Sequence, residues 1–333
     1  MEKTSLGPTG LEITRVGFGG IPIQRLSRED AVNVLRRALD LGCGLIDTAR
    51  VYTDSERKVG AALAECPDPP VLVSKTYERG AEGARNDVDI TLENIGVQTI
   101  DVYLVHNVNS VALLDSILSP GGALEGLQAA RDEGLIGHIG ISSHKPEVLE
   151  EALAREVFEV IEAPFNAIEQ QMLSILEDAR RRQVGSIIMK PLAGGALQNG
   201  DLALRFILEH PVDCVIPGMQ RIEEVEENFS IEGPLSDAER DTLLAEAHEW
   251  QGRFCRRCEY CLSACQEEIN ITGILLFATY SQRYGLTDWA QRRYSEMDIH
   301  ADACRDCAKC EERCPYDLPI REMLKEAHEE LTR

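Results

Sequence analysis

No stretch of this 333-residue chain stays apolar for the roughly 20 residues that a membrane-crossing helix needs. No transmembrane span is therefore expected. An excess of basic charge is also missing: 34 Lys and Arg stand against 57 Asp and Glu, a formal net charge of -23. Sequence-independent nucleic-acid binding needs a basic surface, so that class of function is set aside. The acidity itself names no partner. A solubilising surface accounts for it, and a docking patch for a basic electron carrier is the sharper alternative. The opening Met1-Glu2-Lys3 lacks a secretion-signal pattern, and the expected location is the cytoplasm. No Gly-x-Gly-x-x-Gly turn follows the first strand-like segment, which counts against an open dinucleotide-binding sheet.

What is present is more specific. Apolar residues make up 44% of the chain, and the length suits one large domain with a small appendage. Eleven cysteines in a reducing compartment are not expected to form disulfides. Cys43, Cys66 and Cys214 are scattered, while the others crowd between Cys255 and Cys314. Cys255, Cys258, Cys261 and Cys265 follow the spacing C-x2-C-x2-C-x3-C, which Cys304, Cys307, Cys310 and Cys314 repeat. Pro315 completes the second copy, as in bacterial two-cluster ferredoxins, whereas Gln266 takes the proline position in the first. In that pattern three closely spaced cysteines hold one 4Fe–4S cluster and the fourth crosses to the other. Cys255, Cys258, Cys261 and Cys314 are thus assigned to one cluster, and Cys304, Cys307, Cys310 and Cys265 to the second. Structural zinc is the alternative, but zinc favours paired C-x2-C knuckles over a triplet with a remote fourth ligand.

Between about Thr14 and Pro217, short β-branched runs alternate with amphipathic ones. Strands are expected at 16–18, 44–47, 71–74, 102–105, 136–142, 157–161, 185–189 and 214–216, with helices such as 28–41, 55–65, 86–95 and 168–183 between them. Eight strand–helix units predict an α/β fold of the (β/α)8 TIM-barrel type. A short hairpin over Ser5–Glu12 precedes it, and Ser236 with Glu239 opens a helix after it. The division predicted is a barrel over 1–250 and a two-cluster, ferredoxin-like domain over 251–333. That domain should be mostly helical, given segments 273–283 and 288–295.

Asp47, Lys75 and His106 end the second, third and fourth strands, where barrel enzymes carry their chemistry, and Tyr52 lies in the loop beyond Asp47. The segments Leu6-Gly7-Pro8-Thr9-Gly10-Leu11, Ile46-Asp47-Thr48-Ala49 with Tyr52, Ser74-Lys75-Thr76, Val105-His106-Asn107, Gly140-Ile141-Ser142 and Ile216-Pro217-Gly218 resemble the aldo/keto reductase family. The likeness covers roughly residues 1–230. With the cysteine-rich tail, the chain is similar to the iron–sulfur branch of that family. The resemblance implies that Asp47, Tyr52, Lys75 and His106 form a catalytic tetrad. The chemistry agrees: a free phenol gives up its proton too reluctantly. A lysine ammonium beside Tyr52 would ease that, Asp47 would hold the lysine, and His106 would donate to a carbonyl oxygen.

The resemblance also implies an NAD(P)(H) site, and here the pattern departs. The nicotinamide-holding Ser-Asn pair reads Ser142-Ser143, and Glu162 takes the position of a glutamine, with Asn166 close behind. A carboxylate accepts from an amide but cannot donate to it. Lys190 stands where an aromatic ring would stack. Gly194-Gly195 and the turn at Pro217-Gly218 could supply backbone N–H groups for phosphate, Arg221 could pair with a 2′-phosphate, and Glu227-Asn228 matches a family pair near the adenine. Hydride carries two electrons and each cluster takes one, so a flavin (FMN) at the barrel mouth is the alternative cofactor.

The function expected is an iron–sulfur aldo/keto reductase-like oxidoreductase. It would reduce or oxidise a small carbonyl or alcohol, with Tyr52 as proton donor and two 4Fe–4S clusters exchanging electrons with a ferredoxin-like carrier. The alternatives are an electron-transfer protein with a flavin-binding or non-catalytic barrel, and an ordinary reductase whose clusters are structural.

Overall fold

The computed structural model describes residues 2–250, 252–257 and 259–333. The chain divides into two compact units, Met1–Leu192 with Asn199–Arg240, and Ala193–Gln198 with Asp241–Arg333.

The first unit begins with an antiparallel hairpin, β1 (Lys3–Ser5) and β2 (Glu12–Thr14), paired Lys3 to Thr14. Eight strands follow: β3 (Phe18–Gly19), β4 (Leu45–Asp47), β5 (Val71–Thr76), β6 (Ile100–Val105), β7 (Ile136–Ser142), β8 (Val160–Pro164), β9 (Gly185–Met189) and β10 (Cys214–Val215). They pair in sequence order, all parallel. Parallel bridges from Val16 to Val215 and from Gly19 to Gly218 join the last strand to the first. This is a (β/α)8 barrel.

Parallel strands covered by helices lose both faces to the interior and so read as unbroken apolar runs. β6 shows this, since Val102, Tyr103, Leu104 and Val105 are all fully buried. The closing seam needs glycine. A side chain on Gly19 would strike the Ile216 carbonyl at 2.8 Å, and one on Gly218 would meet Pro22 Cγ at 2.7 Å. Leu6 and Ile13 of the hairpin pack with Leu45, Val73, Leu104 and Ile187 in one apolar cluster.

The helices are α1 (Arg28–Asp40), α2 (Ser55–Leu63), α3 (Ala81–Ile95), α4 (Val111–Leu118), α5 (Ala123–Asp132), α6 (Pro146–Arg155), α7 (Leu173–Arg181), α8 (Gly200–Leu208) and α9 (Ile222–Phe229). α1 is typical: Ala31, Val34, Leu35 and Ala38 form its buried stripe, and Ser27 Oγ accepts from Asp30 N at 3.1 Å. Two departures from expectation affect the site. The segment 107–122, which holds none of the expected helices named above, contains α4, whose first turn is capped by Ser110 Oγ accepting from Leu113 N at 3.2 Å. β8 starts later than the expected 157, because Glu156 ends α6 in a left-handed turn and pairing begins only at Val160. The shift carries the strand through Glu162.

α10 (Asp237–Glu249) opens with Ser236 Oγ accepting from Glu239 N at 3.4 Å, while Glu239 Oε2 accepts from Ser236 N at 2.8 Å. The second unit holds α11 (Ile271–Tyr284), α12 (Thr287–Ser295), α13 (Lys309–Glu312) and α14 (Ile320–Leu331). α11 packs on α12 and α14, burying Ile271, Ile274, Ala290, Leu324 and Ala327 in one core. Among the described residues no helix is long and apolar enough to cross a membrane.

Candidate active site and cluster cavities

Asp47 is the last residue of β4, Lys75 lies at the end of β5, and His106 follows β6. The turn carrying Tyr52 is tied to the neighbouring strand, since Thr48 N donates to Val73 O at 2.9 Å and Arg50 N to Lys75 O at 3.1 Å. Behind it lies a buried polar network. The Glu56 carboxylate accepts from Ser74 Oγ, Thr91 Oγ1, Arg50 Nη1 and Asn94 Nδ2, at 2.7–2.9 Å. All four lone-pair directions are thereby used, which is what makes a buried carboxylate tolerable.

Lys75 is fully buried. Its ammonium donates to Asp47 Oδ2 at 2.5 Å and to the Thr48 carbonyl at 2.9 Å, and lies 3.2 Å from Glu162 Oε2. The same ammonium is 5.5 Å from the centroid of the Tyr52 ring. The His106 ring meets Tyr52 edge-on, with centroids 5.8 Å apart, and meets Tyr77 at 5.4 Å. The three strand-end residues and Tyr52 therefore do converge.

Electrostatics assigns their charges. Burial alone would discharge Lys75, but the carboxyls of Asp47 and Glu162 hold its pKa above the ordinary lysine value. Burial pushes Asp47 up while Lys75 pulls it back. Glu162 is pushed up to about 8, first by burial and then by Asp47. His106 is pushed down to about 3 by burial, Lys75 and Arg79. It is a neutral imidazole, with one ring N–H to donate.

Around His106 the mouth is polar. Asn107 Nδ2 donates to Tyr77 Oη at 3.1 Å, and His144 Nδ1 pairs with Asn107 Oδ1 at 3.1 Å. The Arg79 guanidinium lies 4.7 Å from the Tyr77 ring centroid and donates to the His106 carbonyl at 2.7 Å. Sequence reading did not single out Tyr77, Arg79 or His144. Their only signal was a place just beyond strands five and seven, and the loop geometry brings them together.

In the second unit the cysteines surround two cavities. Cys255, Cys261 and Cys314 line one, with Ile271, Leu275 and Leu318. Cys265, Cys304, Cys307 and Cys310 line the other, a space of about 120 Å³. Cys258, placed by sequence with the first set, lies outside the described residues. Among the described residues no three cysteine, histidine or carboxylate groups converge on a point fit for one metal ion. The thiols instead stand around the walls of a larger space. The backbone is arranged for an anionic guest as well. Arg257, Glu259 and Glu268 have φ of 57°, 69° and 55°, and Asp306, Ala308 and Asp317 have φ of 58°, 60° and 50° at the matching positions of the second copy. Left-handed residues interrupting such turns aim successive N–H groups inward, as anion and iron–sulfur cradles do. The residues present fit 4Fe–4S clusters.

The comparisons with known proteins agree with this geometry. The model of the Aldo/keto reductase family matches residues 15–202. The chain belongs to the aldo/keto reductase family. A 4Fe-4S dicluster domain matches residues 254–318. Among curated relatives, L-galactose dehydrogenase of Arabidopsis thaliana is 28% identical over 217 residues, 59% of this chain and 67% of that protein. Oxidoreductase YqkF of Bacillus subtilis is 24% identical over 305 residues, 75% of this chain and 97% of that protein. Among solved structures, aldo-keto reductase AKR11C1 from Bacillus halodurans superposes with a TM-score of 0.65 at 22% identity, over 74% of this chain and 96% of that one. The likeness to AKR11C1 shows the fold.

Measured against the family pattern, the residues expected to touch a dinucleotide are dispersed in their roles. Ser142 Oγ accepts from Asn107 N at 2.8 Å. Ser143 Oγ donates to Val108 O at 2.6 Å and accepts from Lys145 N at 3.1 Å. Asn166 is wholly buried, donating to Lys190 O at 3.0 Å and accepting from Ile168 N and Glu169 N. Lys190 has a left-handed backbone, φ 55°. Pro217 O accepts from Gly19 N at 2.9 Å, so Pro217 and Gly218 lie in the barrel seam. Gly194 and Gly195 belong to the second unit, where the Tyr284 hydroxyl sits 3.3 Å from where a side chain on Gly194 would begin. Glu227 O accepts from Ser230 N at 3.2 Å, and Asn228 is buried. Arg221 Nε donates to Glu224 Oε1 at 3.0 Å. The departure with the greatest chemical consequence is Glu162, which stands beside Lys75.

Proposed function

We propose that this reductase interconverts a small carbonyl compound and its alcohol with a nicotinamide dinucleotide, and that its two clusters pass electrons to or from a ferredoxin-like carrier. One observation carries the reading: an ammonium locked between Asp47 and Thr48 lies 5.5 Å from the ring of Tyr52, which the neutral His106 ring meets edge-on. When bound, the dinucleotide supplies the hydride and the clusters supply single-electron steps. Tyr52 delivers the proton to the alkoxide oxygen as it forms. Lys75 makes that transfer easier by stabilising the phenolate, Asp47 keeps Lys75 charged, and His106 donates to the same oxygen and orients the carbonyl.

A dinucleotide without a 2′-phosphate is the better fit. Glu224 Oε2 accepts from Gln220 N at 2.7 Å and from Arg221 N at 3.2 Å, while its Oε1 takes the Arg221 guanidinium. The cation and backbone donors expected for a 2′-phosphate are thus already held by a carboxylate. A phosphate there would face like charge.

Anaerobically prepared protein is assayed with NADH or NADPH against a panel of small aldehydes and ketones. Tyr52→Phe should lose about 10²–10⁴ in kcat with its cluster absorbance unchanged, and NADH should exceed NADPH in kcat/KM by about tenfold or more. Turnover unaffected by Tyr52→Phe would leave the barrel non-catalytic and the clusters as the working part.

A further inference from the structure

We infer that Glu162 is a positioning residue of the tetrad: it holds one proton between itself and Asp47 beside Lys75, and loss of that proton weakens the pull of Lys75 on Tyr52. The inference deepens the carbonyl-reductase reading above and rests on it.

The geometry is specific to this chain. Glu162 sits on β8 opposite Ser142 of β7 and Ile187 of β9, and reaches across the barrel interior to residues of β4 and β5. It is 2% exposed, as is Asp47, and Lys75 is 0% exposed. Glu162 Oε2 is buried 3.2 Å from Lys75 Nζ, without a well-aligned hydrogen-bond donor among the described residues. The Asp47 and Glu162 carboxyls thus bear on one ammonium, at 2.5 and 3.2 Å. Two carboxylates on one buried ammonium leave a net negative charge away from water, which one retained proton removes.

Charge decides where the proton stays. Asp47 receives the 2.5 Å hydrogen bond from Lys75 and keeps its charge. One ammonium and one carboxylate leave the buried group neutral, so the proton remains on Glu162, whose pKa is raised to about 8. The charged groups acting on Glu162 are Asp47 and Lys75. His106, edge-on to Tyr52, is neutral in this range. A protonated Glu162 has both a donor and an acceptor, as a glutamine does. Above about pH 8 it becomes a second carboxylate on the ammonium. The Lys75 field at the phenol is then partly cancelled, and Tyr52 becomes a weaker acid.

The test reads Tyr52 directly and needs no substrate. Tyrosinate absorbance is titrated in the full-length protein, and the Tyr52 contribution is taken as the difference from Tyr52→Phe. In Glu162→Gln, Tyr52 should ionise about one pH unit lower than in the wild type. An unchanged Tyr52 titration overturns the inference while leaving the reductase reading intact; absent turnover with a shifted titration does the reverse. If Glu162→Gln does not fold, infrared spectra of the wild type put the same question. A carboxylic-acid C=O band should vanish between about pH 7 and 9, and a carboxylate at every pH overturns the proposal.

Discussion

The barrel unit and the cysteine-rich unit solve the same problem, holding polar groups in a dry interior, by opposite means. In the barrel the buried charges sit on strand ends and on the turns and helices that follow them, and a side chain of opposite charge meets each: Lys75 with Asp47, Glu56 with Arg50. Secondary structure does the positioning. In the second unit the cysteines lie in turns, and the positioning comes from left-handed residues flanking them at matching places in two copies, Arg257 and Glu259 in one, Asp306 and Ala308 in the other. Cys261 and Cys310 are part of the unit's apolar core. The barrel can therefore hold its site with protein contacts alone. The other unit builds its core around ligands for an inorganic guest, so its folding and its loading are one event.

The most drastic way to break this contrast is to remove the iron. Chelation should abolish the cooperative unfolding transition of the second unit and leave that of the barrel, as read by calorimetry. Cys314→Ala and Cys265→Ala sharpen the point. Each should lower the iron content from about eight to about four per chain, because each cysteine lines the cavity of the opposite motif. Loss of both clusters from either variant would mean that the two cavities form cooperatively.

Next in size is Lys75→Met. It removes the ammonium between two carboxyls, and kcat should fall by about 10²–10⁴ without loss of cluster absorbance. A buried Asp47 stripped of its partner should also cost the barrel on the order of 3–5 kcal/mol, measured by denaturant unfolding.

A smaller effect concerns pH. Glu162 has a folded-state pKa above its ordinary value of 4.5, at about 8. The folded chain therefore binds more protons than the unfolded one in that window, and stability falls as pH rises through it. Below pH 4.5 the contribution is fully present. Glu162→Gln should remove that dependence, which amounts to a few kcal/mol, to order of magnitude, over the whole window. An identical slope in both proteins would show that the carboxyl is ionised throughout. The mildest perturbation is Ser110→Ala at the start of α4, which should cost about 1 kcal/mol and lower the barrel's Tm slightly, with the cluster unit unaffected.

Much of this architecture was legible in the chain itself. Apolar runs of strand length, each followed by a helical period, announced the barrel, and Asp47, Lys75 and His106 stood at strand ends by count alone. The cysteine spacing announced the cluster domain. What stayed illegible was set by turns and register. Ser110 follows Asn107-Val108-Asn109, a run with no helical period of its own, and only the folded chain sets its hydroxyl as the cap of α4. Val157, expected to begin a strand, is exposed because the left-handed Glu156 delays pairing to Val160. Glu162 was read as a cofactor contact because the family resemblance sets it at a glutamine position, and its place along β8 gave no sign of Lys75 across the barrel.

Local spacing fixes which atoms a short segment can bring to one point, so the sequence alone picked out the two cysteine motifs and the strand-end residues Asp47, Lys75 and His106. Only barrel closure could decide that Glu162 meets Lys75. β5 and β8 are separated in the sheet by β6 and β7, and their facing side chains are set by the register and curvature of the whole ring. A pKa, unlike a motif, depends on everything within a few ångströms, and that neighbourhood exists only once the chain has folded.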